Sequence, residues 1–401
     1  MGKRNDKLKT NYMKRTIVLF LSILHFVANA NQWTQKASVG VAGRADAAGC
    51  AIGGKGYLGT GYVSGYSKDW WEYDTLTNAW TQKADFAGSP TVESACIDIN
   101  GKAYFLPFNT TDFYCYDPLL NSWSMVAPFP GAPRQGAIAF SIDGKGYFGL
   151  GASGNLSVTM DDFWQYDPVS NTWSQMASLP APSRMHAAAF SVGAKGYVGT
   201  GYNVPAGNLS DFWEYDPALN SWTQRSDFPG GPRNEGTAFS IGSYGFMGGG
   251  YGPFPQATFW RYNPANDTWT SIASLPPGGR VEAVCFSIGN SGYLGTGWDG
   301  TNFKNDFWKY SPDSVLSGVE SPEFSQAVTV YPNPVSEMLF LKSDFRNARI
   351  EIFDAAGRKV ISQQVENGTP VNVQSLAAGN YTFLVIHQLG RAGGKFIKVM
   401  P

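Results

Sequence analysis

One short segment of this chain recurs with chemistry-bearing residues at fixed offsets. Arg44, Arg134, Arg184, Arg233 and Arg280 hold one equivalent position, with Thr91 in a sixth copy; two residues on stand Asp46, Glu93, Gly136, His186, Glu235 and Glu282. A spacing of two puts both positions on the same face of an extended strand. Guanidinium forks there would suit the carboxylate of an acidic sugar or acidic peptide, and the carboxylates with His186 could act as acid or base. A second reading needs no ligand: each arginine pairs with a neighbouring repeat's carboxylate or backbone, because ion-pair networks imitate sites. Recurrence in five copies favours that reading. Thr91, Gly136 and His186 favour the first, since a ligand without such symmetry requires a break in it.

Other chemistries are bounded by what the sequence lacks. Its histidines are His25, His186 and His387, so no multi-histidine zinc or copper site is expected, and a Ser-His nucleophile system has at most one candidate partner. Gly149 to Gly154 and Gly295 to Gly300 match a dinucleotide fingerprint by letter. A loop and another strand follow them where that fingerprint needs a helix. No cofactor or metal is expected. The aspartates Asp69, Asp112, Asp162, Asp211 and Asp306 read as turn hydrogen bonders rather than calcium ligands. Thirty basic against 31 acidic side chains leave no bulk electrostatic case for nucleic acid or an anionic membrane.

The elements that position these residues repeat as a unit. Asp162 to Met176 is echoed at Asp69 to Lys83, Asp112 to Val126 and Asp211 to Arg225, and the closing tryptophan stands at Trp33, Trp80, Trp123, Trp173, Trp222 and Trp269. Steps of about 43 to 50 residues fit one four-stranded propeller blade. In the third unit the strands are expected over 137–142, 145–150, 163–166 and 171–176, with Asp-Pro and Ser-Asn as turn chemistry. Second strands end at Tyr57, Tyr104, Tyr147, Tyr197, Phe246 and Tyr293, and third strands at Tyr73, Tyr116, Tyr166, Tyr215, Tyr262 and Tyr310, whereas no tryptophan strand follows Tyr310. The segment at Trp33 has no unit of its own, so it is expected to complete a sixth blade and cover its edge. With 43% apolar and 15% aromatic residues and 47 glycines in register with the repeat, the chain reads as all-β. Loops after the second strands carry Tyr62, Tyr66, Tyr202, Tyr251, Phe254 and Trp298, which would either stack on a ligand or cover blade edges. Of four cysteines, Cys50, Cys96 and Cys285 align with core positions and Cys115 with a polar, exposed one; no spacing marks a disulfide framework.

Over residues 31–315 this pattern resembles the kelch-repeat family, including the kelch-like central domain group of galactose oxidase, on its Gly-x-Gly strand exits (Gly149 and Gly151, Gly199 and Gly201), spaced tyrosines and closing tryptophans. The resemblance implies a six-bladed propeller and places the strand-one starts at the mouth of its central channel. Leu106-Pro107-Phe108 replaces the glycines in the second unit, so that blade departs most from the pattern. Galactose oxidase copper chemistry requires histidines that are missing here. Kelch propellers mostly bind proteins and a minority are enzymes, so the scaffold implies architecture more than activity.

Both ends read as export signals. Basic Lys14-Arg15, an apolar run from Ile17 to Val27 and Ala28-Asn29-Ala30 form a secretory signal over residues 1–30 with cleavage expected before Asn31, and either Met1 or Met13 as the start. No apolar run is long enough to span a bilayer. After a linker at 316–326, residues 327–401 read as a small β-sandwich. Tyr331-Pro-Asn-Pro334, Phe353-Asp354, Gly357-Arg358, Leu376, Gly379, Tyr381 and Lys395 to Val399 are similar to the type A C-terminal sorting domain of the type IX secretion system of Bacteroidetes. That resemblance implies a Gram-negative host, contact with the type IX machinery, and a location outside the cell or on its outer surface. The expected function is a non-catalytic propeller binding a protein or glycan; the alternative is an enzyme on an acidic sugar, similar in scaffold to six-bladed kelch sialic acid mutarotases, with Arg, Glu and His186 at the mouth.

Overall fold

The computed structural model describes residues 31–40, 42–312, 329–342, 348–354, 359–366, 368–387 and 390–400; the expected signal peptide and the linker at 316–326 lie outside them. Between residues 32 and 311 the described residues form six four-stranded antiparallel sheets, the blades. Five run outward in chain order, and the sixth takes its outermost strand from the amino-terminal segment; blade three, for example, is Ile138–Ile142, Lys145–Gly149, Phe163–Asp167 and Thr172–Met176. The innermost strands of neighbouring blades lie against one another in cyclic order. Strand alternation supplies both faces: Ile138, Phe140 and Ile142 are buried, while the residues between them are less so.

Blades interlock through a repeated exchange of volume. A first-strand phenylalanine of one blade enters the space left by a second-strand glycine of the next: a β-carbon on Gly196 would stand 2.2 Å from Phe140, and one on Gly245 2.0 Å from Phe190. Blade one has Cys50 at the phenylalanine position, and blade two has Ala103 at the glycine position; both are buried in one cluster, so the smaller side chain faces the larger one. Truncating one of these phenylalanines would cost about 3–5 kcal/mol.

Each closing tryptophan ties its blade to the preceding one. Trp80, Trp123, Trp173, Trp222 and Trp269 donate through Nε1 to the carbonyls of Ala37, Ala84, Ala127, Ala177 and Ser226. Two residues before each lies an Asn or Asp at positive φ, as at Asn171 (φ 53), which accepts from a buried tyrosine hydroxyl and from the preceding blade's backbone: Tyr166 at 2.7 Å and the Ala127 N–H at 2.9 Å. The strand Gln32–Lys36 brings the same set to the sixth blade. It pairs antiparallel with Phe307–Ser311, Trp33 opposite Tyr310; Trp33 donates to Ala273 O, and Asn31 accepts from Tyr310 and the Ala273 N–H.

Cys115 is buried, contrary to the exposure expected of it. Its position faces the second-strand tyrosine; Glu72 and Glu214 reach the Tyr57 and Tyr197 hydroxyls from it at 2.5 and 2.8 Å, so polar residues there cap a buried hydroxyl rather than face water. All four cysteines are free, with Cys50 and Cys96 sulfurs 3.5 Å apart. Beyond residue 328, a three-stranded sheet (Thr329–Tyr331, Met338–Lys342, Pro370–Asn372) and a four-stranded one (Lys359–Val365, Ala348–Phe353, Gly379–His387, Gly390–Lys398) enclose a core with Leu339, Ile350, Ile352, Phe383 and Phe396 at its centre. No helix among the described residues is long and apolar enough to cross a membrane.

Candidate functional site

The two positions expected on one strand face part company in the backbone. Asp46, Glu93, Gly136, His186, Glu235 and Glu282 all have φ between 46° and 60°, the left-handed region, so the chain turns at each and the extended geometry needed for a shared face is lost. The arginine goes into the blade. The residue two on goes to the channel axis.

Arg44, Arg134, Arg184, Arg233 and Arg280 are buried and do not line the mouth. In four blades the partner is the aspartate that begins the third strand of the same blade, gripped by both guanidinium Nη atoms: Asp69 by Arg44, Asp162 by Arg134, Asp211 by Arg184 and Asp306 by Arg280, at 2.6–3.0 Å. Nη1 also donates to the backbone carbonyl sixteen residues on, Thr60, Leu150, Thr200 or Thr296. The carboxylate's second oxygen accepts from the indole of Trp71, Trp164, Trp213 or Trp308. Burial alone would raise the carboxyls of Asp69, Asp162 and Asp211, but the arginine's hydrogen bonds and charge hold them below the ordinary range. These aspartates are arginine partners rather than turn hydrogen bonders. Sequence alone carried a signal, since arginine and aspartate recur together at a nearly constant separation.

Two blades hold half of this device. Blade two has Asp112 but Thr91 in place of arginine; blade five has Arg233 but Thr258 in place of aspartate. Arg233 turns to carbonyls of Gly249, Gly231 and Gly230 and lies 4.8 Å over the Phe228 ring, and burial lowers its pKa to about 10.

The axial residues converge on a mouth of about 180 Å³ lined by Asp46, Glu93, Gly136, His186, Glu235 and Glu282. It opens onto a channel walled by Ala48, Gly49, Ala95, Ala139, Ala189 and Ala238 among other small residues. His186 Nε2 lies 2.9 Å from Glu93 Oε2, and Nδ1 lies 3.4 Å from Glu235 Oε1. A β-carbon on Gly136 would come within 2.1 Å of the His186 ring, so the glycine makes room for histidine to cross toward Glu93. The two departures from symmetry are one feature. Burial opposes a charged imidazole, but the Glu235 and Glu93 carboxylates beside its two nitrogens outweigh it and raise His186 to about 10. Burial and the charge of Glu282 raise Asp46 to about 8, and burial with the charge of Glu235 raises Glu282 to about 7. Two carboxyls with protons available near neutrality therefore share the mouth with a locked Glu93–His186–Glu235 bridge.

Short bridges hang the loop residues beside the mouth. Tyr62 pairs with Ala45, Tyr202 with Met185, Tyr251 with Asn234 and Trp298 with Val281, each partner being the immediate neighbour of Asp46, His186, Glu235 or Glu282. Tyr62 stands 6.3 Å from Tyr66 and 5.6 Å from Phe303, and Tyr66 stands 6.4 Å from Phe108. The four rings make a strip from the loops of blade six across blade one to blade two. Phe254 is exposed. Phe108 and Phe303 are not among the loop aromatics expected from sequence: Phe108 registers there only as the replacement of a strand-exit glycine, and Phe303 lies late in a loop.

Comparison with known proteins bears on both halves of the chain. Residues 146–180 match the kelch motif, and residues 329–398 match the secretion system C-terminal sorting domain. No curated protein matches. The solved structure of YjhT superposes with a TM-score of 0.58 at 18% identity, covering 68% of this chain and 96% of that one; the likeness is one of fold. The sorting domain indicates export to the cell surface or release by the type IX system. This chain is a kelch-type β-propeller carrying a secretion-system C-terminal sorting domain.

Proposed function

We propose that residues 31–315 are an exported binding propeller and that residues 327–401 deliver it through the type IX machinery, the ligand being a glycan or a protein segment at the bacterial surface. The observation that carries this reading is the backbone pairing of Tyr62, Tyr202, Tyr251 and Trp298 with residues next to Asp46, His186, Glu235 and Glu282, which brings four aromatic-bearing loops beside a mouth of carboxyls. Rings of this kind stack on sugar faces or on a partner's side chains. With the arginines enclosed in the blades, a ligand meets Asp46, Glu93, Glu235 and Glu282 first, which favours a neutral or cationic ligand over an acidic one.

One feature favours the enzyme alternative: burial and neighbouring carboxylates raise Asp46 to about 8 and Glu282 to about 7, the range an acid–base pair for sugar ring opening needs. The same carboxylates disfavour an acidic sugar such as sialic acid. Both readings are tested on the mature chain with a glycan and surface-protein binding screen and an anomer-exchange assay on sialic acid and a neutral aldose. The expected outcome is saturable binding weakened about tenfold by Tyr62→Ala with Tyr66→Ala, and exchange no faster than the spontaneous rate. Acceleration abolished by Glu282→Gln would overturn the non-catalytic reading.

A further inference from the structure

Blade two contains a pocket of about 460 Å³ whose walls include Phe86, Ser89, Thr91, Pro107, Asp112 and Tyr114. Its origin is the missing arginine. Every group that an arginine uses in the sibling blades has its counterpart in this wall. The bidentate carboxylate of Asp69, Asp162, Asp211 and Asp306 corresponds to Asp112. The carbonyl sixteen residues beyond the arginine, which accepts from Nη1 in all five arginine-bearing blades, corresponds to Pro107. The carbonyl two residues before it, which accepts from Nε at Ala132 and Pro182, corresponds to Ser89. The ring five residues before it, which lies 4.7 Å under Arg134 as Phe129 and 4.8 Å under Arg233 as Phe228, corresponds to Phe86. A carboxylate, two carbonyls and an aromatic face thus surround space that the five other blades of the same protein fill with a guanidinium.

We propose that this pocket binds a guanidinium group supplied by a ligand, either a small arginine-like molecule or an arginine side chain of a peptide. The planar fork satisfies the bidentate carboxylate in a way an ammonium does not, and the charge-assisted pair is the strong element of the recognition. Tyr114 replaces the tryptophan that takes the carboxylate's second oxygen in the sibling blades, and its hydroxyl lies under the influence of Asp112. Phe108, at the pocket's rim, receives the strip that begins at Phe303 and Tyr62, so a peptide can lie across the strip with its arginine lowered into the blade. This site is separate from the axial mouth, and its occupation does not depend on what the mouth binds.

The test titrates the mature protein with L-argininamide, with citrulline amide as the neutral isostere, with lysine amide, and with a short neutral peptide holding one internal arginine. Calorimetry is expected to show saturable binding of argininamide, roughly tenfold or more weaker binding of citrulline amide, and intermediate binding of lysine amide. Asp112→Asn, isosteric and charge-free, should abolish the preference for arginine over citrulline. Thr91→Arg rebuilds the sibling arrangement and should block binding while raising the unfolding midpoint; should that variant fail to fold, Thr91→Met fills the space and should block binding as well. Tighter binding of the peptide assigns the source to a protein partner, and tighter binding of argininamide to a small molecule. Absence of saturable binding by both guanidinium compounds, or equal binding by wild type, Asp112→Asn and the folded Thr91 variant, overturns the proposal.

Discussion

Blade two and blade five have each lost one half of the same buried ion pair, and the losses leave different things behind. Without its aspartate, Arg233 remains folded over Phe228 and hydrogen-bonded to three glycine carbonyls; the long side chain fills its own space. Without its arginine, Asp112 stands in the wall of an open pocket, because a threonine cannot cover the distance. Deleting the anion costs an interaction, whereas deleting the cation also creates volume. The intact blades show why: the guanidinium ties the start of the first strand to the exit of the second and the start of the third.

The largest effect should come from breaking an intact pair and comparing it with the half-pair. Arg184→Ala strands the partly buried Asp211 and is expected to cost about 3–5 kcal/mol in denaturant unfolding. Arg233→Ala strands no carboxylate and should cost distinctly less; equal losses would mean that packing rather than charge dominates the intact blades. Next in size is a pH effect that sets blade interior against axis. His186, Asp46 and Glu282 have folded pKa values above their ordinary ones, so the folded state holds extra protons and stability falls as pH rises from the ordinary carboxyl range through about 7 and 8, and for His186 from 6.5 to about 10. Asp69, Asp162 and Asp211 are shifted the other way, and their contribution is lost as pH falls through their lowered values. The unfolding midpoint should therefore peak at mildly acidic pH, and Asp46→Asn with Glu282→Gln should remove a decline on the order of 2 kcal/mol on the alkaline side; an unchanged slope would refute the shared-proton mouth. The smallest effect is a repair. Thr258→Asp gives Arg233 its missing partner and the unpartnered Trp260 indole an acceptor, and is expected to stabilise by about 1 kcal/mol. No gain would show that Arg233 is already fully satisfied.

Repetition made the scaffold legible from sequence and hid the site. Strand expectations in the third unit fell within a residue of the observed ends, because Trp173, Tyr166 and Tyr147 mark them. Facing directions were not legible: a spacing of two promised one face for Arg184 and His186, and only the backbone reversal at His186 (φ 52) sends the first into the blade and the second to the axis. Such reversals usually announce themselves by glycine, and here only Gly136 does so. Cys115 was misjudged for a related reason, since a position occupied by Glu, Gln, Arg and Lys elsewhere reads as solvent although Glu72 is buried there beneath a tyrosine hydroxyl. The pocket of blade two was present in the letters as Thr91 and Asp112, but its meaning required knowing that the two positions touch in the other blades.

The strand carrying Trp33 has a consequence for biosynthesis. Asn31 and Tyr310, hydrogen-bonded in the folded protein, are separated by 279 residues. At typical elongation rates the first member of that contact waits roughly 15–60 s for the second to be made. Throughout that interval the nascent chain holds a strand with no partner, and when Phe307–Ser311 arrives it presents an open edge that another copy's amino-terminal strand could take instead. Cleavage expected before Asn31 would leave that latch residue as the first of the mature chain, so a cut displaced by only three residues would remove Asn31 and Trp33 together and leave the edge permanently open.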